Sequence, residues 1–158
     1  NNTHIAVDSE GFSPKHIGLL PKIIQIANDN IISIFDYNRF YSFLKTFLKN
    51  KTIILCDAKS DLTQLKLSNQ NYVDIQHEYF LITKENISLK RMASIYAGIP
   101  FIKPKGHFYK YELWDIDNID EAHLIYAATD AFITFQIYTN IIKHKKLNYT
   151  HNLQDQSN

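Results

Sequence analysis

Short apolar runs separated by polar turns occupy the first half of the chain, which is the pattern of β-strands. Thr3–Val7 alternates between apolar and polar residues before the chain turns acidic. Lys22–Ala27 and Ile31–Phe35 flank an Asn-Asp-Asn turn and therefore predict a β-hairpin. Thr52–Cys56 predicts a buried strand, and Tyr72–Ile75 predicts a short one.

Between and after these strands, apolar positions recur every three or four residues, which predicts amphipathic helices. The helical segments are Asn38–Lys49, Lys59–Leu67, His77–Leu81, Ser88–Tyr96 and a long final helix that ends near His144. Asn118, with Glu121 three residues later, resembles the capping box that begins such a helix. Residues 97–117 contain two prolines and two glycines and predict a long irregular segment, a feature that is commonly functional in a compact domain.

Three strands followed by strands that alternate with helices indicate an α/β fold. We expect a mixed β-sheet, with three antiparallel strands and then parallel strands, flanked by helices. The 158 residues fit one domain, since about 150 residues is a common domain size. We expect residues 1–146 to form this domain and the polar residues 147–158 to form a disordered tail.

The composition is that of a globular protein. With 45% hydrophobic and 21% charged residues, the chain is neither wholly disordered nor collagen-like. No apolar run approaches the roughly 20 residues of a membrane span, so we expect no membrane partner. A net charge of +1 gives no argument for a nucleic-acid partner from bulk charge. The single cysteine, Cys56, and the lack of a visible targeting segment predict an intracellular protein, nuclear or cytoplasmic.

Two acidic residues, Asp8 and Glu10, follow the first predicted strand. Residues i and i+2 of an extended chain point to the same side. The two carboxylates therefore face one way and repel each other unless a cation lies between them. Solvated acids are also common at strand ends, so the pair alone leaves both interpretations open.

Three more residues turn this pair into a candidate site. Asp61 lies in the first turn of a predicted helix, where the helix dipole also favours an acid. Tyr126 and Asp130 are four residues apart on the final helix and share one face. Four carboxylates that a mixed sheet can bring together indicate a site for Mg²⁺ or Mn²⁺, which prefer oxygen ligands. Two such ions can clamp the oxygens of a phosphodiester displacement, and a tyrosine hydroxyl can orient the attacking water.

The order and spacing of these residues resemble a known family. Asp8-x-Glu10, Asp61 and Tyr126-x-x-x-Asp130 resemble the three motifs of the DEDD superfamily of 3'-5' exonucleases, in the variant with tyrosine. This is the group of ribonuclease D and the Werner-type exonuclease domain. The segment from Leu124 to Phe132 resembles the third motif closely, and Ile125 lies where the histidine variant of the superfamily carries its histidine.

The resemblance implies a ribonuclease-H-like fold and a metal-dependent 3'-5' exonuclease domain over residues 1–146. Asp8, Glu10, Asp61 and Asp130 would be catalytic residues that hold two divalent ions, Mg²⁺ or Mn²⁺. Tyr126 would be a further catalytic residue that positions the nucleophilic water. The substrate would be single-stranded RNA or DNA, or a 3'-recessed end, with release of nucleoside 5'-monophosphates. Further domains or protein partners outside this chain are compatible with the resemblance.

The chain departs from the family pattern near two motifs. Members often carry asparagine or histidine and an aromatic residue in the second motif where this chain has Asp57 and Ser60. Gly11, directly after Glu10, resembles branches whose members bind without turnover. The alternative function is therefore a catalytically weak or inactive module that acts as a nucleic-acid- or protein-binding adaptor.

Basic and aromatic residues alternate in the long irregular segment. The candidate nucleic-acid-binding residues are Lys59, Lys103, Lys105, Tyr109 and Lys110, because cations bind phosphates and rings stack on bases. Lysine makes up 15 of the 17 basic residues, so a solvated, lysine-rich loop is the alternative interpretation.

Overall fold

The sheet has five strands, and its order positions the first strand at the centre. The computed structural model describes residues 3–13 and 18–155, with the backbone alone for residue 144 and residues 146–155. The strands are β1 His4–Glu10, β2 Ile23–Ala27, β3 Ile32–Asp36, β4 Thr52–Leu55 and β5 Tyr72–Asp74, in the order β3-β2-β1-β4-β5. β1, β2 and β3 pair antiparallel, whereas β4 pairs parallel with β1 and β5. This arrangement confirms the predicted mixed sheet.

Helices cover both faces of the sheet. They are α1 Tyr37–Lys49, α2 Ala58–Gln64, α3 Ile75–Thr83, α4 Leu89–Met92 and α5 Glu121–Asp155. α4 continues into one π-helical turn at Ala93–Ala97, and two 3₁₀ helices follow at Gly106–Tyr109 and Tyr111–Trp114. None of the described helices is long and apolar enough to cross a bilayer.

The alternation of side chains along β1 decides which face of the sheet carries the site. Ile5 and Val7 belong to the core cluster that includes residues of α1 and α2. Ala6 belongs to the cluster on the opposite face, which includes many residues of α5. Because side chains alternate along a strand, Asp8 and Glu10 lie on the Ala6 side, toward α5. Ala127 and Ala131 of α5 are fully buried there, and their small side chains let the helix approach the sheet closely.

The start of α5 differs from the predicted capping box. The Asp120 carboxylate accepts a hydrogen bond from the His123 backbone N–H at 2.9 Å, and its carbonyl accepts one from the Leu124 N–H at 3.1 Å. Asn118 instead donates its N–H to the carbonyl of Asp115 at 2.9 Å. Asn118 is therefore part of the preceding turn, and Asp120 caps the helix.

The end of α5 also differs from the prediction. The helix continues past His144 to Asp155, because the sequence after residue 118 contains no glycine or proline that would break it. Residues 147–155 have a helical backbone, and residues 156–158 lie outside the described part of the chain. The disordered tail predicted for residues 147–158 stays a prediction. The predicted domain boundary at residue 146 stays a prediction.

Gly11 is required by the close approach of two side chains. Its φ is +79°, and a Cβ atom added there would lie 2.8 Å from the Cβ atoms of Lys22 and Trp114. A positive φ alone costs an L-residue about 1–2 kcal/mol. We therefore expect Gly11→Ala to lower the free energy of unfolding by about 2 kcal/mol or more, measured by urea denaturation. Gly98→Ala is the matched control, since Gly98 has a φ of +64° with nothing within 4 Å, and an equal loss in both variants would contradict this account.

Candidate metal centre

Three carboxylates from two elements meet beside the sheet. Asp8 and Glu10 come from β1, and Asp130 comes from the part of α5 that packs against it. One carboxylate oxygen from each of the three lies within 4.8 Å of the others. Asp130 is 3% exposed, and its Oδ1 has no hydrogen-bond partner within the described residues. A buried carboxylate oxygen without a partner is costly, so this position favours a bound cation.

Asp61 reaches the same cavity from α2. That helix begins after Asp57, whose backbone φ is +72°, and the side chain of Asp74 fixes its start by accepting the Ala58 N–H at 3.0 Å. Asp61 lines the cavity together with Asp8, and the charge of Asp8 contributes to its raised pKa. All four predicted carboxylates therefore line one cavity, with three of them in the tight group.

Burial disfavours the ionisation of all four carboxyl groups, and neighbouring carboxylates add to this effect in three of them. Burial, followed by the charges of neighbouring carboxylates, raises the pKa of Glu10 to about 9, of Asp61 to about 8 and of Asp130 to about 7. Burial raises the pKa of Asp8 to about 6. The charge of Lys103 acts in the opposite direction on all four. The protein alone therefore compensates this acidic cluster incompletely.

The donor set fits hard divalent cations. It consists of carboxylate oxygens, the ligands that Mg²⁺ and Mn²⁺ prefer. Cys56 also lines the cavity, but burial raises the pKa of its thiol, which disfavours the thiolate that soft metals need. Within the described residues, none of the four carboxylates forms a salt bridge with a basic side chain.

Tyr126 lies one helical turn before Asp130 and is nearly buried, with 7% exposure. Burial, followed by the charge of Asp130, raises the pKa of its hydroxyl above the ordinary value. The phenol is therefore neutral and acts as a hydrogen-bond donor and acceptor. The Tyr109 hydroxyl donates a hydrogen bond to the Tyr126 hydroxyl at 3.2 Å, and the Phe101 ring stacks on the Tyr126 ring at 5.9 Å.

The cavity has a volume of about 790 Å³ and is partly open to solvent. Of the candidate nucleic-acid-binding residues, Lys103 and Tyr109 line it. Lys59, Lys105 and Lys110 are exposed and lie outside its lining. Lysine is frequent throughout this chain, so the sequence could not distinguish these positions from Lys103.

Gln25 is a buried polar residue that the sequence analysis did not single out. It lies directly opposite Asp8 in the β1–β2 register and is fully buried. Neither its Oε1 nor its Nε2 has a hydrogen-bond partner within the described part of the chain. The signal in the sequence was one polar residue in the otherwise apolar run Ile-Ile-Gln-Ile-Ala.

The comparison with protein families agrees with this arrangement. The model of a family described as 3'-5' exonuclease matches residues 1–146. The chain belongs to this 3'-5' exonuclease family. The assignment confirms the resemblance to the DEDD exonucleases and supports a nuclease, that is, a hydrolase. No curated protein matches the chain in sequence.

Solved structures of DEDD exonucleases share the fold of this exonuclease-family chain. Escherichia coli RNase D has a TM-score of 0.77 at 19% identity, covering 92% of this chain and 40% of that one. Trypanosoma brucei RNase D has a TM-score of 0.72 at 18% identity, covering 89% and 58%. Brucella melitensis NrnC bound to pGG has a TM-score of 0.69 at 16% identity, covering 92% and 74%, and another structure of NrnC holds Mg²⁺. These likenesses confirm the ribonuclease-H-like fold, and the chain spans about half the length of the two RNase D structures.

Proposed function

We propose that this exonuclease-family chain is a metal-dependent enzyme that removes nucleotides from the 3' end of single-stranded RNA or DNA. The observation that carries the proposal is the group of three carboxylates, Asp8, Glu10 and Asp130, with oxygens within 4.8 Å of one another. Asp61 lines the same cavity. No basic side chain among the described residues forms a salt bridge with these carboxylates, so the cluster is suited to bind divalent cations.

In this proposal Asp8, Glu10, Asp61 and Asp130 together hold two Mg²⁺ or Mn²⁺ ions. When bound, such ions stabilise the attacking and leaving oxygens of a phosphodiester displacement and lower the pKa of bound water. The chain's own part is to hold the four carboxylates in place from a central strand and two helices. Their packed backbones leave little freedom to the ligand set, which favours a precise site.

Tyr126 orients the attacking water in this proposal. Its hydroxyl is kept neutral by burial and by the charge of Asp130, so it donates or accepts a hydrogen bond and does not act as a base. Lys103 lines the cavity, and its ammonium group would form an ion pair with the phosphate next to the cleaved bond. Water would add to the last phosphorus and the bond to the 3' oxygen of the preceding nucleotide would break, which would release a nucleoside 5'-monophosphate and leave a 3'-hydroxyl on the shortened strand.

The proposed partner is a single strand of nucleic acid, because the cavity is partly open to solvent and is lined by both a cation and aromatic rings. The chain spans only part of each RNase D structure, and further domains or protein partners in the complete protein are part of the proposal. A binding module without turnover is the alternative, and the full set of four carboxylates favours the enzyme.

A time course on denaturing gels tests this function. Single-stranded RNA and DNA, labelled at the 5' end and with either a free or a blocked 3' end, are incubated with Mn²⁺, Mg²⁺ or a chelator. We expect metal-dependent shortening from the free 3' end, release of 5'-monophosphates and no cleavage by Asp8→Ala. No shortening by folded protein that still binds the strand would contradict the enzyme and support the binding module.

Tyr126→Phe separates water positioning from metal binding. We expect kcat to fall by about a hundredfold, because the hydroxyl that orients the water is lost. The rise in melting temperature on adding Mn²⁺ should stay as in the wild type, since all four carboxylates remain. Unchanged kcat, or loss of the Mn²⁺ effect, would show that Tyr126 does not have this role.

A further inference from the structure

The hydroxyl groups of two tyrosines meet at the edge of the candidate metal centre. The Tyr109 hydroxyl donates to the Tyr126 hydroxyl at 3.2 Å, and the two rings meet edge to face with centroids 6.0 Å apart. Tyr126 lies on α5, whereas Tyr109 ends the 3₁₀ helix Gly106–Tyr109. The Tyr126 hydroxyl also hydrogen-bonds the Asp130 carboxyl, which acts against the burial that raises the pKa of that carboxyl. This hydroxyl therefore lies between Tyr109 and a carboxylate of the cluster.

A buried histidine holds this 3₁₀ helix against α5. His123 is 4% exposed, and its Nδ1 lies 2.7 Å from the Asp120 carboxylate while its Nε2 lies 2.9 Å from the backbone carbonyl of Phe108. The Phe108 ring stacks on the imidazole at a centroid distance of 3.9 Å and an angle of 4°. Trp114 packs edge-on against the same imidazole at 4.7 Å.

These contacts link the start of α5 to Tyr126 through the 3₁₀ helix Gly106–Tyr109. His123 fixes the carbonyl and the ring of Phe108, and Phe108 is the residue before Tyr109. The Phe108 ring also lies against the Tyr126 ring, at 5.3 Å and 74°. The position of the Tyr109 hydroxyl therefore depends on a contact made one helical turn before Tyr126.

We infer that Tyr109 and His123 are positioning residues for Tyr126: Tyr109 through the hydrogen bond between the hydroxyls, and His123 through Phe108. This inference rests on the proposed function, in which Tyr126 orients the attacking water. It also changes the interpretation of Tyr109, for which the sequence suggested a ring that stacks on a base.

Tyr109→Phe distinguishes the two roles of Tyr109, because it keeps the ring and removes the hydroxyl. Loss of one hydrogen bond is expected to lower kcat by about tenfold and to leave KM within about twofold of the wild type. In the double variant with Tyr126→Phe, Tyr109→Phe should cause no further loss of kcat, since residues that act as a unit are not additive. A change in KM alone, or a full additional loss of kcat in the double variant, would overturn the inference.

Two variants of His123 test its role in positioning Tyr126 through Phe108. The amide of His123→Gln reaches the position of Nε2 and can still donate to the Phe108 carbonyl, whereas the amide of His123→Asn reaches only the position of Nδ1. Both remove the imidazole ring, so they share the packing loss. We expect His123→Gln to keep several-fold more kcat than His123→Asn at similar melting temperatures. Equal kcat in the two variants would overturn the role of His123.

The failure of the proposed function can be told apart from the failure of this inference. If the wild type cleaves nothing, the proposed function has failed, and the melting temperatures of the metal-free proteins still test the contact between the tyrosines. A coupled pair predicts that Tyr109→Phe lowers the melting temperature in the wild type but not in Tyr126→Phe. Equal shifts in both backgrounds would overturn the contact itself.

Discussion

Asp130→Asn is expected to reduce strand cleavage by more than about a hundredfold, because even residues that only support metal ligands contribute 10–100-fold. Asp130 is buried, and its carboxylate belongs to the group of three oxygens within 4.8 Å. The amide has nearly the same shape, so the fold is retained while one charge of the cluster is removed. Initial rates on a 5'-labelled strand at saturating Mn²⁺ measure the effect.

Asp117→Asn is the matched control for this prediction. Asp117 is exposed and pairs with Arg39 on the surface at 3.1 Å, away from the lining of the cavity. An exposed ion pair contributes little to stability, so this variant should cleave at the wild-type rate. If Asp130→Asn retained the rate of Asp117→Asn, the carboxylate cluster would not be the active site.

The metal-free protein is expected to lose stability as the pH rises from 5.5 to 9, which is the second large effect. The folded-state pKa values of the four carboxyls, about 6 to about 9, lie above the ordinary values of 3.8 and 4.5. At pH values between the ordinary and the raised pKa values, the folded state binds more protons than the unfolded state. The stability that these protons provide is complete below the ordinary pKa values and is lost as the pH rises through the raised ones.

The size of this effect is measurable by thermal denaturation in chelator. One pKa unit corresponds to about 1.4 kcal/mol, and 1 kcal/mol moves the midpoint of a chain of this size by about 2–4 °C. We therefore expect the melting temperature to fall by at least about 3 °C across this range. Asp130→Asn should melt higher than the wild type at pH 9 and show a flatter dependence, since it removes one of the repelling charges.

Added Mg²⁺ should reverse the trend. Divalent ions bind the ionised carboxylates, so the rise in melting temperature on adding Mg²⁺ should be larger at pH 8 than at pH 5.5. Stability that increases with pH in chelator, or a Mg²⁺ effect independent of pH, would contradict the clustering of the four carboxylates.

The features that repeat along the chain could be predicted from the sequence. The alternation in β1 and the order of strands and helices follow from local patterns, and they suffice to put Asp8 and Glu10 on the same side of the strand. That this side is the one covered by α5 comes from the structure. The spacing of Tyr126 and Asp130 on a helix is equally local. The mixed sheet was predicted correctly for this reason, although strand and helix ends shifted by a few residues.

Contacts between distant segments could not be predicted in the same way. The capping prediction was wrong because the backbone N–H of Asn118 is hydrogen-bonded to the Asp115 carbonyl. Asn118 therefore belongs to the turn before the helix and does not cap it. The segment before α5 was expected to be irregular, yet it forms two 3₁₀ helices whose rings pack around His123 and Tyr126. No periodic pattern encodes such packing, so the roles of Tyr109 and His123 emerge only from the structure.

Titration of the metal-free wild type with Mn²⁺ by calorimetry, next to Asp8→Asn, tests the central claim most directly. If the four carboxylates form a divalent cation site, the wild type binds two Mn²⁺ ions per chain. Asp8→Asn, with the same fold by circular dichroism, then loses at least one of them, and cleavage by the wild type saturates over the same Mn²⁺ range. Absence of Mn²⁺ binding by the folded wild type, or binding that is unchanged in Asp8→Asn, would contradict the account.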